Sequence, residues 1–519
     1  MRRYAAALAG LLLGLLALGP GLRRGFLLSY DMVFVPHESF AAALPGLSPA
    51  RNMPSDPVVA IASRILPADI VQKGFLLAIF VLGCAGVAAL LDREHLVAQL
   101  AGGVFYAWNP YVGERLIIGQ WALLLGYAGL PWVLRATLKP ELASPRGALR
   151  LILALLPAII GGYTAMSITA LVIVPAALLT RSASRAAVAV GCFAIGCLPW
   201  LIPSLLHPVY TDPAGVAAFA ARADTPFGGF GSLLMLGGMW NAQTVPKGYG
   251  GGWSVLWLGV VLIALAGYVV FGCRQRRWPG LGVAGVIGLL IACIALTGPG
   301  QHALTSLISG WPAAGVLRES QQFVAPLALA EACGFGLCVA WLASQGLAAQ
   351  GLDLAGAIIG VVAILAPVVL LPGLAWGAGG RLRPVWYPAS WLAAAREIDT
   401  SQDSGDVLLL PWATYRTPAW NHGEVVLDPW PRLLSRPVIW NDGTQVGNLA
   451  LQPDDPRARA LDGAIAGTGP LTAVLRAHGI RFVVDDADGP AAGSDMSQRL
   501  PGAIPIVRQP GLTVYRLPG

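Results

Sequence analysis

Long apolar segments separated by short polar loops dominate the first three quarters of the chain. These segments lie near residues 5–20, 74–91, 96–112, 116–136, 148–163, 164–180, 187–206, 253–272, 280–297, 322–343 and 355–376. Each approaches the ~20 residues that a helix needs to cross the hydrocarbon core of a membrane. The pattern therefore predicts a polytopic bundle of about eleven transmembrane helices.

The pattern changes at about Gly377, where shorter strand-like segments replace the long apolar ones. Strands are predicted at 406–411, 480–485, 504–508 and 512–517, with a short helix at 471–478. The tail 377–519 also holds 14 of the 27 acidic residues. The predicted fold class is mainly α. A membrane domain over 1–376, with outer loops 21–73 and 207–252, precedes a small α/β domain over 377–519.

Basic residues predict the orientation of the bundle. They cluster in alternate loops, at residues 2, 3, 93, 135, 139, 146, 150, 181, 185, 274, 276 and 277. Because cytoplasmic loops carry an excess of Lys and Arg, we expect these loops and the N-terminus inside the cell. The C-terminal domain is then extracytoplasmic, and the protein lies in the plasma membrane. The first segment also resembles a signal peptide, but without a small-x-small cleavage site it is read as a retained span.

Composition narrows the class of protein. Only 12% of residues are charged, against roughly 25% in a soluble domain. The net charge of +7 follows from the loop arginines, so no nucleic-acid partner is indicated. The sequence contains no Walker A, GxSxG or HExxH motif and no Cys/His zinc pattern. The absence of a Walker A motif points away from an ATP-driven pump.

The first outer loop carries the strongest candidate for catalysis. Asp31 follows the first apolar segment by about ten residues, among apolar and aromatic neighbours. Desolvation strengthens a carboxylate as a base, so Asp31 is a candidate general base. Glu38 is a candidate substrate-binding residue. Alternatively, Pro36 starts a helix, and the helix dipole favours both Asp31, just before that helix, and Glu38, in its first turn.

Three further groups of polar residues are candidates for substrate binding. Glu114, Arg115 and Gln120 lie at a short outer turn, either as a polar wall of an outer cavity or as an interfacial charge pair. Arg318 and Glu319 begin the tenth segment, where Arg318 either binds a lipid phosphate or snorkels to the surface. Arg222 and Lys247 lie in the large outer loop, near the glycine run 248–252.

The tail is rich in tryptophan, at residues 386, 391, 412, 420, 430 and 440. Aromatic rings beside polar groups are typical of carbohydrate-binding surfaces. They are equally typical of an aromatic belt that docks a domain on a membrane. The sequence leaves both interpretations open.

The chain resembles the GT-C membrane glycosyltransferases, particularly the arabinofuranosyltransferase-like members of actinobacterial cell-envelope synthesis. The resemblance rests on Asp31 in an outward loop, the many spans, the outward tail, and the stretch from Asn109 to Trp132. It implies a polyprenyl-phosphate sugar donor, an acceptor glycan or glycolipid, and an acid in the first outer loop as base. Many members carry paired acids there, whereas Met32 and Val33 follow Asp31. A divalent metal is therefore not indicated.

The sequence thus predicts an inverting membrane glycosyltransferase that moves a pentose or hexose at the outer membrane face. One alternative is a non-catalytic scaffold of the same fold that binds glycan or partner proteins through its tail. Another is a lipid or polysaccharide transporter. A transporter needs polar residues along several spans, whereas here the polar residues cluster on one side of the predicted membrane.

Overall fold

The computed structural model describes residues 2–40, 43, 52–207, 210–348, 353–447, 449–486 and 496–519. The α-helices are α1 (Arg2–Leu18), α2 (Ser55–Ala62), α3 (Ala68–Leu90), α4 (Leu96–Ala107), α5 (Pro110–Ile117), α6 (Trp121–Thr137), α7 (Pro145–Leu179), α8 (Ala183–Leu206), α9 (Gly215–Ala218), α10 (Gly228–Leu234), α11 (Trp253–Gly267), α12 (Leu281–Ile294), α13 (Gly298–Gly310), α14 (Ala325–Ala348), α15 (Asp353–Leu370), α16 (Ala375–Gly380), α17 (Ala389–Thr400), α18 (Trp430–Leu433), α19 (Pro456–Ala466), α20 (Thr472–Ala477) and α21 (Met496–Arg499).

The protein is a multi-pass membrane protein, with fewer long spans than the sequence predicted. Within the described residues, six helices are long and apolar enough to cross a membrane, or up to eight if each of two bent helix pairs counts as one span. The predicted spans at 96–112 and 116–136 correspond to α4 and α6, which have 12 and 17 residues. The bent pairs are α12 with α13, at 96°, and the end of α15 with α16, at 64°.

Helix α7 contains a chain reversal at Gly162. This glycine has φ 71° and ψ −151°, a backbone conformation that residues other than glycine rarely adopt. The thiol of Cys192 in α8 lies 3.9 Å from the carbonyl oxygen of Ala148, near the start of α7. The ring of Trp200 stacks on Tyr163, just beyond Gly162. Leu151 also shares a core cluster with Ala177, whereas a straight helix would separate these two residues by about 39 Å. The predicted segments 148–163 and 164–180 therefore fold back as a helical hairpin.

The chain divides into two compact units. Unit 1 comprises Met1–Leu22, Lys73–Ile202 and Val216–Leu382, and unit 2 comprises Arg23–Gln72, Pro203–Gly215 and Arg383–Gly519. Most of the first outer loop, predicted as part of the membrane domain, thus belongs to the same compact unit as the tail.

The core of unit 1 is built around α14, which packs on α4, α11, α12 and α15. Small residues allow the close approach of these helices, as is usual in membranes. A Cβ atom on Gly334 of α14 would lie 2.0 Å from the carbonyl oxygen of Ala264 in α11. A Cβ atom on Gly102 of α4 would lie 2.8 Å from the carbonyl oxygen of Ala332. Glycine at these positions sets the distance between the helices.

Unit 2 contains a five-stranded mixed sheet in the order β10-β11-β9-β3-β6. The strands of the chain are β1 (Phe26–Leu27), β2 (Pro384–Val385), β3 (Asp406–Leu410), β4 (Tyr415–Arg416), β5 (Val426–Leu427), β6 (Val438–Ile439), β7 (Gln445–Val446), β8 (Leu449–Ala450), β9 (Ile480–Asp486), β10 (Ile504–Gln509) and β11 (Leu512–Arg516). Strand β3 runs parallel to β9, whereas β10 and β11 form an antiparallel hairpin. Helices α19, α20 and α21 contribute Leu461, Leu475 and Met496 to the core below the sheet. The small α/β domain predicted from the sequence is confirmed.

The first outer loop is joined to the tail within unit 2. Strand β1 pairs antiparallel with β2, and Gln72 donates to and accepts from the backbone of Leu27 at 2.6 and 2.9 Å. Arg24 binds Asp69 through two hydrogen bonds of 2.6 and 3.1 Å. The helix predicted to start at Pro36 does not form. Residues 36 and 37 form a turn and 38 and 39 have no regular structure, so no helix N-terminus stabilises Glu38.

Candidate functional site

Asp31 is held on a short turn in unit 2. Tyr30 bridges to Val426 of β5: its amide donates to Val425 at 2.7 Å, and its carbonyl accepts from Leu427 at 2.8 Å. Leu427 in turn pairs with Tyr415 of β4, so Asp31 is placed beside the Tyr415 ring. The phenol of Tyr415 donates a 2.6 Å hydrogen bond to Oδ1 of the half-buried Asp31.

The backbone at this turn is strained. Tyr30 has φ 44°, in the left-handed region that residues other than glycine, asparagine and aspartate rarely enter. Such conformations persist where surrounding contacts hold them, and they concentrate at functional sites. Here the contacts are the two backbone hydrogen bonds that join Tyr30 to Val425 and Leu427. The strain places the Asp31 side chain in a defined position.

Glu38 lies in a second cluster of charges in unit 2, with Asp56 and Arg432. Nε of Arg432 binds Asp56 at 3.2 Å. Burial raises the pKa of Glu38 well above its ordinary range, and the negative charge of Asp56 raises it further, whereas Arg432 opposes the shift. Burial and the neighbouring Asp56 thus both disfavour the ionised form of Glu38.

Three of the six tryptophans of the tail are buried and have structural roles. Trp391 and Trp430 stack with ring centroids 4.9 Å apart and are buried, as is Trp440. The indole of Trp430 also donates to Asp486 at 3.0 Å. A ring enclosed by protein cannot stack on a sugar. Trp386 is exposed and remains compatible with either a glycan or a membrane surface.

In unit 1, helix α5 carries Glu114 and Arg115. Asn109 caps this helix, because its Oδ1 accepts from the amide of Val112 at 3.1 Å, and Pro110 occupies the first helical position. Both charged side chains are fully buried. Nη1 of Arg115 lies 3.9 Å from the Glu114 carboxyl, and its guanidinium carbon lies 3.6 Å from the centre of the Tyr111 ring. The pair is a buried one and not an exposed interfacial one.

Gln120 and Glu319, predicted separately, meet in unit 1. Nε2 of Gln120 donates to Oε2 of Glu319 at 2.9 Å. Glu319 interrupts the 3₁₀ segment Pro312–Val324, with φ −96° and ψ 62°. The hydrogen bond therefore ties the start of α6 to the point where this segment bends.

Arg318 and Arg222 approach opposite members of one aromatic pair. The guanidinium carbon of Arg318 lies 4.6 Å from the centre of the Phe219 ring. Phe219 packs edge-on against Trp240 with ring centroids 4.7 Å apart. Nη1 of Arg222 donates to the carbonyl of Trp240 at 3.4 Å. The structure thus brings two of the predicted arginines to one cluster, which we call the arginine–aromatic cluster.

The indole nitrogen of Trp240 adds a donor to this cluster. It is buried, and it has no hydrogen-bond partner among the described residues. A buried donor without a partner costs free energy, so such groups commonly meet water or a ligand.

Lys247, the third basic residue predicted in the large outer loop, has an exposed side chain. Its backbone packs against Gly373, where a Cβ atom would lie 2.3 Å from the Lys247 carbonyl oxygen.

No metal site is evident in the parts of the chain that the structure describes, since no three His, Cys, Asp or Glu residues there come close enough to hold an ion. The sequence did not identify Tyr415 as the partner of Asp31, nor Arg432 as the partner of Asp56. Positions 384 and 376 residues apart carry no local signal of contact.

No protein-family model and no curated protein matches the chain. Among solved structures, the chain is similar over its full length to the arabinofuranosyltransferase AftD from Mycobacteria, with a TM-score of 0.58 at 17% identity. It also aligns with a mutant of AftD, with a TM-score of 0.62 at 17% identity. The chain spans only 40% of the length of AftD in the first alignment and 41% in the second.

The chain also aligns with ArnT from Cupriavidus metallidurans bound to undecaprenyl phosphate, with a TM-score of 0.48 at 14% identity. This alignment covers 99% of the chain and 97% of ArnT. A likeness at that level does not by itself establish a shared fold. The alignments with AftD, at higher TM-scores, confirm the fold predicted from the sequence. The structure has the fold of the GT-C-like membrane glycosyltransferases.

Proposed function

We propose that this protein is a membrane glycosyltransferase. It moves a sugar from a polyprenyl-phosphate donor to a cell-envelope glycan or glycolipid at the outer face of the membrane. The fold supports this general class of reaction. AftD, a structural neighbour, is named as an arabinofuranosyltransferase. An arabinofuranosyl donor is therefore the first pentose donor to test, and hexose donors are tested in parallel.

The observation that carries the proposal is the position of Asp31. Its carboxylate is half-buried, Tyr415 fixes one of its oxygens at 2.6 Å, and the strained backbone of Tyr30 presents it. A general base must be held within hydrogen-bonding reach of the proton that it takes. A carboxylate fixed by a neighbouring donor meets the requirement for a defined position.

The reaction follows from this assignment. Asp31 accepts the proton of an acceptor hydroxyl as that oxygen attacks the anomeric carbon, from the face opposite the phosphate. The new carbon–oxygen bond forms while the bond from the anomeric carbon to the phosphate oxygen breaks. Polyprenyl phosphate leaves with the bonding electrons, and the anomeric configuration inverts. Alignment of donor and acceptor supplies much of the rate enhancement.

The arginine–aromatic cluster is proposed to bind the phosphate of the donor. Guanidinium groups match phosphate geometrically and stay charged at any physiological pH. Arg318 and Arg222 place two such groups around Phe219 and Trp240. Lys247, with its exposed ammonium group, adds positive charge from the same outer loop. The bend held by Gln120 and Glu319 would set the position of Arg318, the neighbour of Glu319 in sequence.

The test is sugar transfer by the purified protein in lipid nanodiscs, with polyprenyl-phosphate arabinofuranose and hexose donors. Asp31→Asn should lower kcat at least 100-fold, the scale of a lost general base, and leave donor KM within about threefold. Asp399→Asn is the matched control, because Asp399 lies in the same unit and its carboxylate accepts from the Ser435 amide, away from Asp31 in sequence. Wild-type kcat in Asp31→Asn would overturn the assignment and favour a non-catalytic scaffold.

Phosphate binding is tested with the same assay. Arg318→Gln and Arg222→Gln should each raise donor KM about tenfold, the loss of one charge-assisted contact of ~1.4 kcal/mol, with a smaller change in kcat. Arg150→Gln, an exposed arginine of α7, should leave both constants unchanged. An unchanged donor KM in both cluster variants would exclude this cluster as the phosphate site.

A further inference from the structure

Two carboxyl groups in unit 1 reach the same turn of the large outer loop: Glu114 of α5 approaches it at Gly237, and Asp224 binds the amides of Gly238 and Met239. The loop approaches α5 closely at this point. A Cβ atom on Gly237 would lie 3.1 Å from Oε1 of Glu114 and 2.9 Å from the phenol oxygen of Tyr249. The absence of a side chain at Gly237 therefore allows the loop to reach Glu114.

Asp224 organises the turn that follows Gly237. Its Oδ2 accepts hydrogen bonds from the backbone amides of Gly238 and Met239, the latter at 3.1 Å. The hydroxyl of Ser232 accepts from the backbone amides of Asp224 at 3.0 Å and Thr225 at 3.2 Å, and it shares a further hydrogen bond with the Thr225 hydroxyl at 3.0 Å. Two backbone donors on one carboxyl oxygen stabilise the ionised form of that carboxyl.

Glu114 has fewer donors than Asp224. The amide of Met239 lowers its pKa, but neither Glu114 oxygen accepts a hydrogen bond of good geometry among the described residues, and Nη1 of Arg115 is 3.9 Å away. Two ionised carboxylates facing each other inside protein would repel. A single proton between them converts that repulsion into a charge-assisted hydrogen bond. Because the amides favour the anion at Asp224, the proton belongs on Glu114.

The surrounding charges are consistent with this placement. Burial raises the pKa of Glu114, the charge of Asp224 raises it further, and Arg115 opposes the shift. Burial also raises the pKa of Asp224, against the Gly238 amide and Arg222. Tyr249, which precedes α11, also faces the pair, and it supplies no positive charge.

We propose that one proton, carried by Glu114 and shared with Asp224, fastens the turn at residues 237–239 of the outer loop to α5. The fastening is a positioning device for the loop that also carries Arg222, Trp240 and Lys247. It is independent of the proposed function, because it predicts a protonation state and a local stability that do not require any reaction.

Infrared difference spectroscopy tests the proton directly, with protein in nanodiscs at pH 7. Wild type minus Glu114→Gln should show the C=O stretching band of a protonated carboxylic acid, and the band should shift in D₂O. Glu331→Gln is the matched control for a buried glutamate elsewhere, and its difference spectrum should leave the Glu114 band in place. A Glu114→Gln difference without a protonated-carboxyl band would overturn the proposal.

Amide hydrogen exchange tests the fastening. Glu114→Gln keeps a permanent donor toward Asp224, so protection of the Gly238 and Met239 amides should stay within about twofold of wild type. Glu114→Leu and Asp224→Ala should each lower that protection at least tenfold, the scale of one lost hydrogen bond. Amides of α14 serve as the reference for global folding. Wild-type protection of the turn in both disruptive variants would overturn the proposal.

Discussion

The phenol of Tyr415 donates a 2.6 Å hydrogen bond to the carboxylate of Asp31, across 384 positions of the chain. The contact joins the first outer loop to a short β-ribbon of the tail within one compact unit. The rings of Tyr30 and Tyr415 also meet edge-on, with centroids 6.1 Å apart. The position of the proposed base is therefore set by residues of the tail, which gives the tail a role in the proposed site.

Removal of the Tyr415 hydroxyl should weaken catalysis by Asp31, because the carboxylate remains but loses the hydrogen bond that orients it. We expect Tyr415→Phe to lower kcat about tenfold, because a hydrogen bond to a charged group contributes roughly 1.5–3 kcal/mol and part of that orients the carboxylate. Tyr210→Phe is the control, because the Tyr210 ring contacts Arg459. Loss of the Tyr210 hydroxyl should leave kcat unchanged. An unchanged kcat in Tyr415→Phe would show that this hydrogen bond does not position the base.

Glu38 should make the stability of the protein fall as pH rises. Folding raises the pKa of this carboxyl, mainly through burial, so the folded state resists its ionisation. The penalty begins above the unfolded value of about 4.3 and grows until the folded group ionises. Glu38→Gln should therefore raise the melting temperature at pH 8 by more than at pH 5, in scans of detergent-solubilised protein.

Glu397→Gln provides the comparison for Glu38, because Glu397 is an exposed acid of α17. Its melting temperature should differ from wild type by the same small amount at both pH values. Equal effects of Glu38→Gln at pH 5 and pH 8 would contradict the raised pKa.

Arg416 should be required for the stability of unit 2. Its Nη1 lies 3.2 Å from Asp428 and 2.6 Å from Asp486, and all three residues are buried. Loss of the arginine would leave two carboxylates uncompensated in the interior, which typically costs about 3–5 kcal/mol. We expect Arg416→Met to lower the free energy of unfolding by that amount, as measured by urea denaturation.

Arg396→Met is the matched substitution at an exposed arginine of α17, whose Nε donates to the Leu392 carbonyl within the same helix. It should change the free energy of unfolding by less than about 0.5 kcal/mol. A similar loss in both variants would mean that the buried ion pairs add nothing beyond ordinary side-chain packing.

Gly334 should tolerate no larger side chain. A Cβ atom there would lie 2.0 Å from the Ala264 carbonyl oxygen, so Gly334→Val must separate α14 from α11. We expect a loss of about 1–3 kcal/mol or more from overpacking, seen as a lower melting temperature. Gly259→Val is the control on α11, because a Cβ at Gly259 would meet nothing within 4 Å. Equal melting temperatures for the two variants would contradict the close helix contact.

Periodic hydrophobicity determined much of the architecture. The segments of α3, α8 and α11 could be located because an uninterrupted apolar run leaves few alternatives to a membrane helix. Strand β9 and the β10–β11 hairpin could be located for a similar reason, since an apolar run of strand length and a Pro–Gly turn specify them locally. The number of spans was less certain, because α4 and α6 are shorter than their apolar runs suggested.

Tertiary structure decided what those local patterns cannot encode. The predicted break near residue 163 became a reversal only because Gly162 adopts φ 71° and the halves of α7 pack against α8. Asp31 could be singled out by its place after the first apolar segment, but its partner Tyr415 could not. Likewise Glu114 appeared as half of a charge pair, and its approach to the turn at Gly237 depends on the fold of a distant loop. Side-chain partners far apart in sequence are chosen by packing, so only the folded chain specifies them.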